Sequence, residues 1–190
     1  MYRTFLRRSS TYTSVYRSSI EHPKQFWTEQ GQKLTWFTKW KKIFDEKNLL
    51  KPQWYQEGQL NMTYNCLDRH ISVRGNQTAI IYDSAMTGQV THTTYNQLLK
   101  QVKTLANVMT NKYQLKKGDV VLIYMPMISE AIVAMLACAR IGAIHTVVFG
   151  GFSANELAVR IKHSQPKLII SGKKISWRGI SCVSKFCLIQ

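Results

Sequence analysis

The sequence predicts an α/β fold in which parallel strands alternate with helices. Three short apolar runs have the length of buried strands: residues 120–124, 143–149 and 167–171. The two segments between these runs carry the start and stop signals of helices. Single helices between successive strands imply parallel pairing through right-handed crossovers, and therefore a layered domain.

The first run, residues 120–124, ends before Pro126, because proline cannot extend a strand ladder. Ser129 is the predicted N-cap of the following helix. Glu130 lies in its first turn, where the helix dipole favours a carboxylate. Residues 131–139 have no polar face, which predicts a helix that is buried on all sides.

A glycine turn follows the second strand. Gly150 and Gly151 supply permissive backbone there, and Ser153 with Glu156 has the spacing of a capping box that opens the next helix. Pro166 ends that helix and leads into the third strand. We expect this third strand to lie at or near a sheet edge and to expose apolar surface.

The segment before these repeats predicts a hairpin and a helix. Residues 78–83 and 90–93 are short strands that turn back at Thr87-Gly88. Thr94 and Gln97 form a second predicted capping box. The apolar positions of the helix recur at helical spacing: Leu98, Val102, Leu105, Ala106 and Met109.

The net charge of +16 over 190 residues is concentrated at the two ends of the chain. Residues 1–20 hold four arginines and no acid, and residues 172–190 hold four cations and no acid. Residues 21–171 therefore carry +8, which is mildly basic and does not indicate a polyphosphate-binding surface. The charge and the tryptophans leave a basic nucleic-acid-binding protein as an alternative, but no nucleic-acid partner is expected.

The cysteines and the apolar segments exclude two classes of protein. Four scattered cysteines indicate neither a disulfide scaffold nor a zinc site, and Cys138 is expected to pack in the core. The longest apolar segment, residues 131–150, is interrupted by Arg140 and His145. We therefore expect a reduced compartment and no membrane span.

The first 20 residues have the composition of a mitochondrial transit peptide: arginine and hydroxyl side chains, and no carboxylate before Glu21. An amphipathic helix would use as its apolar side chains Tyr2, Phe5, Leu6 and Tyr12. The alternative is a disordered basic tail. The prediction places the protein in the mitochondrial matrix.

Residues 22–60 are rich in tryptophan: Trp27, Trp36, Trp40 and Trp54. We interpret this segment as one that wraps a larger body and anchors by its rings. Nearby lysines also allow base stacking on single-stranded nucleic acid, but no repeated module or sheet platform accompanies them. Further on, Cys66, Asp68 and His70 match no common metal spacing, so we expect solvated or locally hydrogen-bonded side chains there.

Three stretches resemble a known family: LNMTYNCLDRH at 60–70, KKGD at 116–119, and MLACARIGAIHTVVFGGFS at 135–153. They are similar to the N-terminal third of short-chain acyl-CoA synthetases of the acetyl-CoA synthetase type, in the adenylate-forming superfamily. The resemblance covers about residues 22–171. AIIYDS at 79–84 and the Pro-Lys pair at 166–167 look closer to the mitochondrial, propionate-preferring subfamily than to the acetate enzymes.

The resemblance implies an AMP-forming ligase that uses ATP, CoA and Mg²⁺. The carboxylate of propionate or acetate would attack the α-phosphorus of ATP, and the CoA thiol would then displace AMP from the acyl-adenylate. The family's phosphate loop, acyl pocket and catalytic lysine match nothing in this sequence, so no catalytic residue and no metal ligand is predicted. We expect a truncated N-terminal portion that is inactive and marginally stable alone. The alternative is a non-catalytic binding or regulatory fragment that associates with a full-length synthetase.

The resemblance also implies a share of the CoA site. Phe149, Gly150 and Gly151 match the FGG turn on which the CoA adenine rests in the family. The alternative is a strand-to-helix turn that simply requires glycine. The family next places an arginine- and glycine-rich turn that binds CoA phosphate, and Arg178 is the candidate for it here.

The predicted domain organisation has four parts. Residues 1–20 are the transit peptide and residues 21–80 the N-terminal extension of the acetyl-CoA synthetase type. Residues 81–171 begin the AMP-binding domain of the adenylate-forming fold, and residues 172–190 are a divergent tail without usable periodicity.

Overall fold

The computed structural model describes residues 2–45, 52–85, 87–172 and 186–189, with side chains between residues 12 and 172 of those ranges. The chain divides into two compact units, Met1–Leu60 and Asn61–Gln190.

The first unit contains two helices and a short hairpin. Helix α1 spans Tyr2–Glu21 and α2 spans Pro23–Gln32, which begins with proline at a position where no backbone N–H is needed. Strands β1, Lys42–Phe44, and β2, Trp54–Gln56, pair antiparallel. The expected N-terminal helix is therefore present, although the side chains of residues 2–11 lie outside the described part.

Aromatic rings fill the first unit. Tyr55 lies 5.2 Å from Trp36 and 5.1 Å from Trp40 between ring centroids, and its hydroxyl donates a 2.8 Å hydrogen bond to the Trp27 carbonyl. Trp27 in turn packs edge-on against Trp54 at 5.6 Å. The rings contact one another, which supports packing rather than an open row of stacking platforms. Whether the segment wraps a larger body stays a prediction.

The second unit has the following elements in chain order: α3 Met62–Cys66, a 3₁₀ turn Asp68–His70, α4 Ile71–Arg74, β3 Thr78–Ser84, β4 Gln89–Thr94, α5 Tyr95–Asn111, β5 Val120–Met125, α6 Ser129–Ile141, β6 Ile144–Phe149, α7 Ala154–Ser164, β7 Leu168–Gly172 and β8 Phe186–Ile189. Strands β3 and β4 form the predicted antiparallel hairpin. The remaining four strands form one sheet in the order β6-β5-β7-β8.

The sheet confirms the predicted α/β fold and shows where the third predicted strand lies. Strand β5 pairs in parallel with both β6 and β7, as the alternating repeats require. The third predicted strand, β7, was expected at or near an edge; it lies next to the edge, because β8 from the tail pairs antiparallel with it. Among the described strands β6 is at one edge, since the crossover after β6 returns the chain past β5.

The helix predicted after the hairpin, α5, is confirmed in detail. Thr94 accepts a hydrogen bond from the Gln97 N–H at 3.3 Å, and the Gln97 side chain accepts one from the Thr94 N–H at 2.8 Å. This is the reciprocal capping box. The buried positions of α5 are the five apolar residues that the helical spacing predicted.

The two later helices begin differently from the prediction. Ile128, not Ser129, is the N-cap residue of α6, with φ −124° and ψ 159° and no side-chain cap hydrogen bond. The extended cap conformation falls at Ile128 because a tight turn after Pro126 sets the backbone there. At α7 Ser153 accepts from the Glu156 N–H, but the Glu156 carboxylate pairs with Arg160 at 2.7 Å, so only half of that capping box forms.

Helix α6 is fully buried along one face rather than all round. Val133, Ala134, Ala137 and Cys138 are fully or almost fully buried, whereas Ile132 is 37% exposed. Burial raises the pKa of the Cys138 thiol to about 12, because a charged thiolate is poorly solvated there. The expectation of a core cysteine is confirmed.

The segment at 61–70 is fixed by long-range contacts that the sequence did not reveal. Asn61 donates to the Arg140 carbonyl at 2.9 Å, and Thr63 donates to the Leu136 carbonyl at 2.7 Å. Asp68 accepts two hydrogen bonds from the Arg140 guanidinium, at 2.8 and 3.0 Å. The expectation of solvated or local contacts is thus wrong for Asp68, whose partner is 72 residues away.

Candidate functional site

The glycine turn lies at the carboxyl edge of the parallel strands. Phe149 ends β6 and is the register partner of Met125, which ends β5. The chain leaves β5 towards α6 and leaves β6 towards α7. Both connections therefore begin side by side at the same edge of the sheet.

These two connections lead to opposite faces of the sheet. Val121 and Ile123 of β5 belong to the core that includes α5 and α6. Leu122 and Val148 are also buried but lie outside that core, on the alternate face. Right-handed crossovers to strands on either side of β5 place α7 on this second face. Adjacent carboxyl ends whose connections diverge in this way form a crevice, which is where open α/β sheets bind ligands.

Gly150 is required by its packing. A Cβ atom at this position would lie 2.8 Å from the Pro126 nitrogen and 2.9 Å from the Met125 carbonyl carbon. Both are backbone atoms of the neighbouring connection, so no side-chain movement relieves the clash. Gly150 therefore fits the alternative that the sequence left open, a strand-to-helix turn that requires glycine in order to fold.

Gly151 differs because it is exposed. A Cβ there would lie 2.5 Å from Cε1 of Phe149, a side-chain atom. The absence of a side chain at Gly151 thus leaves the Phe149 ring in its place, with 57% of the residue exposed. An exposed ring beside a bare backbone offers a flat surface that a planar base can contact.

Sequence reasoning missed the side chains that surround Phe149. The Phe152 ring packs edge-on against it, with centroids 6.0 Å apart and planes at 82°. The Arg160 guanidinium lies 4.4 Å from the Phe152 ring centroid, and the Tyr124 hydroxyl donates to the Phe152 carbonyl at 2.9 Å. The four-residue spacing of Glu156 and Arg160 was the one available signal, because it predicts a helix-surface ion pair.

The structure thus brings three of the four candidate residues together: Phe149, Gly150 and Gly151. Arg178 lies outside the described residues. In the described part, no group of three or more His, Cys, Asp or Glu side chains could hold a metal ion. Nor is any helix found there that is both long and apolar enough to cross a membrane.

Two protein-family models match the chain. The model described as AMP-binding enzyme matches residues 67–185, and that described as acetyl-coenzyme A synthetase N-terminus matches residues 12–66. The first match continues past residue 171 into the tail and includes the position of Arg178.

Named relatives match most of the chain. Acyl-CoA synthetase short-chain family member 3, mitochondrial, from Bos taurus is 45% identical over 161 residues, which are 84% of this chain and 23% of the relative. Acetyl-coenzyme A synthetase from Marinobacter nauticus is 47% identical over 169 residues, 87% of this chain and 26% of the relative. The chain therefore spans about a quarter of the length of these relatives.

A solved structure agrees with these matches. The acetoacetyl-CoA synthetase from Streptomyces lividans superimposes with a TM-score of 0.74 at 25% identity, covering 82% of this chain and 24% of that one. The similarity supports the adenylate-forming fold that the resemblance implied. The chain belongs to the AMP-binding enzyme family, and its N-terminal segment is of the acetyl-coenzyme A synthetase type.

Proposed function

We propose that this chain is the N-terminal portion of an AMP-forming short-chain acyl-CoA ligase. The observation that carries the proposal is the match of 45–47% identity to acyl-CoA and acetyl-CoA synthetases across both family regions. The reaction activates a short carboxylate with ATP and transfers the acyl group from its adenylate to the CoA thiol. The chain corresponds to about a quarter of such an enzyme, so this activity belongs to the longer protein.

The chemical step is assigned to parts of the ligase other than the described residues. Displacement at the α-phosphorus of ATP requires groups that offset developing negative charge, among them Mg²⁺. No described cluster of carboxylates or imidazoles fits a metal ion. We therefore derive no catalytic step from this chain and expect it to release no pyrophosphate by itself.

The contribution of this chain to substrate binding is a surface that contacts the adenine of CoA. The exposed Phe149 ring and the backbone of Gly151 would contact the base, and Gly150 would hold the turn against the end of β5. Stacking of a base on an aromatic ring is worth roughly 1–3 kcal/mol. Arg178 would contact a CoA phosphate by its charge.

The finer organisation is also proposed. Residues 1–20 would direct the protein to the mitochondrial matrix, residues 21–80 form the extension, residues 81–171 begin the AMP-binding domain and residues 172–190 form the tail. The arginine-rich start and the mitochondrial name of the Bos taurus relative support this, whereas bacterial relatives match equally well. The AIIYDS stretch resembles the propionate-preferring subfamily, and the proposed substrate is propionate or acetate.

A chimera tests the ligase proposal. Residues 12–171 of this chain would replace the aligned segment of the Marinobacter nauticus acetyl-coenzyme A synthetase. We expect both ATP–pyrophosphate exchange and acetyl-CoA formation to persist, because the segment supplies the same scaffold and CoA contact. A soluble, folded chimera without either activity would contradict the proposal. Pyrophosphate release by the 190-residue chain alone would contradict the assignment of the chemistry to other parts of the ligase.

The CoA contact is tested in the same chimera with Phe149→Ala. We expect the KM for CoA to rise about 10-fold, the loss of one stacking contact, while ATP–pyrophosphate exchange is unchanged. The matched control is Val147→Ala on the same edge strand, where the side chain is also about half exposed. An unchanged KM for CoA in the Phe149 variant would remove the adenine assignment.

A further inference from the structure

Four side chains form a continuous series from helix α7 to the glycine turn. Nη1 of Arg160 donates to the Glu156 carboxylate at 2.7 Å and to the Glu156 carbonyl at 2.9 Å. The guanidinium lies over the Phe152 ring at 4.4 Å from its centroid. Phe152 in turn packs edge-on against Phe149.

We infer that Arg160 is a positioning residue for the bound nucleotide, because it fixes the Phe152 ring and, through it, the orientation of the Phe149 ring. The inference rests on the proposed contact between Phe149 and the CoA adenine, and it adds Phe152 and Arg160 to that site. Neither residue needs to touch the nucleotide. Both act on the surface that the base contacts.

Phe149 needs such support because of its location. It is the last residue of an edge strand, more than half exposed, and a side chain there retains much of its rotamer freedom. A base that stacks on a mobile ring must first order that ring, which weakens binding. A neighbouring ring that is itself fixed removes part of this cost.

Three contacts fix Phe152, two to its backbone and one to its ring. Its N–H donates to the Phe149 carbonyl at 3.1 Å, and its carbonyl accepts from the Tyr124 hydroxyl at 2.9 Å. These bonds hold its backbone, and the Arg160 guanidinium covers one ring face. A planar guanidinium suits this stacking better than the compact ammonium of lysine.

The geometry favours this indirect role over direct phosphate binding. Nη1 of Arg160 already donates twice to Glu156, and the carboxylate offsets the guanidinium charge locally. An arginine that binds phosphate instead presents its fork of donors to the ligand. The contribution of Arg160 should therefore depend on the base and not on the phosphates.

The test measures binding of CoA, 3′-dephospho-CoA and adenosine to the 190-residue chain by titration calorimetry or NMR. In Arg160→Gln we expect the Kd of all three probes to rise by the same factor, about 3-fold to 5-fold, the size of an exposed cation–π contact. Arg160→Lys keeps the charge and the fold and should fall between Gln and wild type. Lys162→Gln, an equal charge change at an exposed position of α7, is the control and should leave every Kd unchanged.

A double-mutant cycle completes the test. In a Phe149→Leu background Arg160→Gln should have no further effect on adenosine binding, because the ring through which it acts is absent. A loss confined to CoA would overturn the inference, since it would show direct contact with the 3′-phosphate. Unchanged affinities in a folded Arg160→Gln variant would overturn the inference about Arg160 but not the proposed contact between Phe149 and the adenine. If the folded wild-type chain binds none of the three probes, the inference fails, whereas the proposed CoA contact stands or falls with Phe149→Ala in the chimera.

Discussion

The two units of the chain have cores that are built from different kinds of side chain. In residues 61–172 the core is aliphatic, contributed by strands β5 and β7 and one face each of α5 and α6. In residues 23–59 tryptophan and tyrosine rings from helix α2, the loop between α2 and β1, and the three-residue strand β2 pack on one another. The first core is built from repeating elements, whereas the second depends on a few large contacts.

The difference decides where each unit is vulnerable. An aliphatic core loses stability when a buried side chain is shortened, because a cavity remains. The aromatic cluster closes instead around glycines: a Cβ on Gly31 would lie 2.7 Å from the Tyr55 ring, and one on Gly58 would lie 2.6 Å from the Trp36 ring. A Gly→Ala substitution in the aromatic cluster should therefore destabilise its unit, as truncation of a buried side chain destabilises the aliphatic core.

The largest expected effect is in the aliphatic core. Ile123→Ala should lower the free energy of unfolding by about 3 kcal/mol, because Ile123 is fully buried in the central strand β5. Urea titration followed by far-UV circular dichroism measures the loss. Ile81→Ala, at a position that is 65% exposed, should cost less than about 1 kcal/mol. Equal losses would show that stability is not concentrated around β5.

Overpacking the aromatic cluster should cost somewhat less. Gly58→Ala places a Cβ against Trp36 and 2.9 Å from the Tyr55 carbonyl oxygen, so we expect a loss of about 2 kcal/mol. Tryptophan fluorescence during unfolding follows this region directly, because it contains four of the five tryptophans. Gln59→Ala, at the exposed neighbouring residue, is the control. A Gly58 variant as stable as this control would contradict the close packing.

Loss of the capping box is a smaller change in the aliphatic unit. Thr94→Ala leaves the Gln97 N–H without its acceptor and should reduce stability by about 1 kcal/mol. Thr104→Ala, at an exposed position within α5, should not reduce it, because alanine is the better helix former. Thermal unfolding of both variants separates the cap from threonine content in general.

The smallest effect is electrostatic and depends on pH. The Lys116 N–H at 2.7 Å, followed by the Lys167 ammonium at 2.9 Å, lowers the pKa of the Asp119 carboxyl. A lowered pKa stabilises the fold above the unfolded-state pKa, and this contribution is lost as the pH falls through the folded-state pKa. Asp119→Asn should therefore reduce Tm at neutral pH, and the difference from wild type should shrink on acidification. A constant difference at all pH values would contradict the linkage.

The sequence alone determined most of the α/β unit. The apolar runs around residues 120–124, 143–149 and 167–171 became β5, β6 and β7, and the five helical positions of α5 are the ones that are buried. Local patterns suffice there because each element presents one apolar face at its own period. The glycine turn could be predicted because its glycines follow directly from a strand, whereas the role of Phe149, Gly150 and Gly151 in CoA binding was implied only by the resemblance.

Only the tertiary structure decided which strand is at the edge, what Asp68 pairs with and what surrounds Phe149. No local periodicity of the sequence predicts these contacts. They are the pairing of β8 with β7, the Asp68–Arg140 ion pair and the stacking of Arg160 on Phe152. The aromatic cluster belongs to the same class, because rings from a helix, a loop and a strand meet only after the chain has folded. Periodicity fixes which face of an element is buried, whereas partners distant in sequence are chosen by the packing of the whole unit.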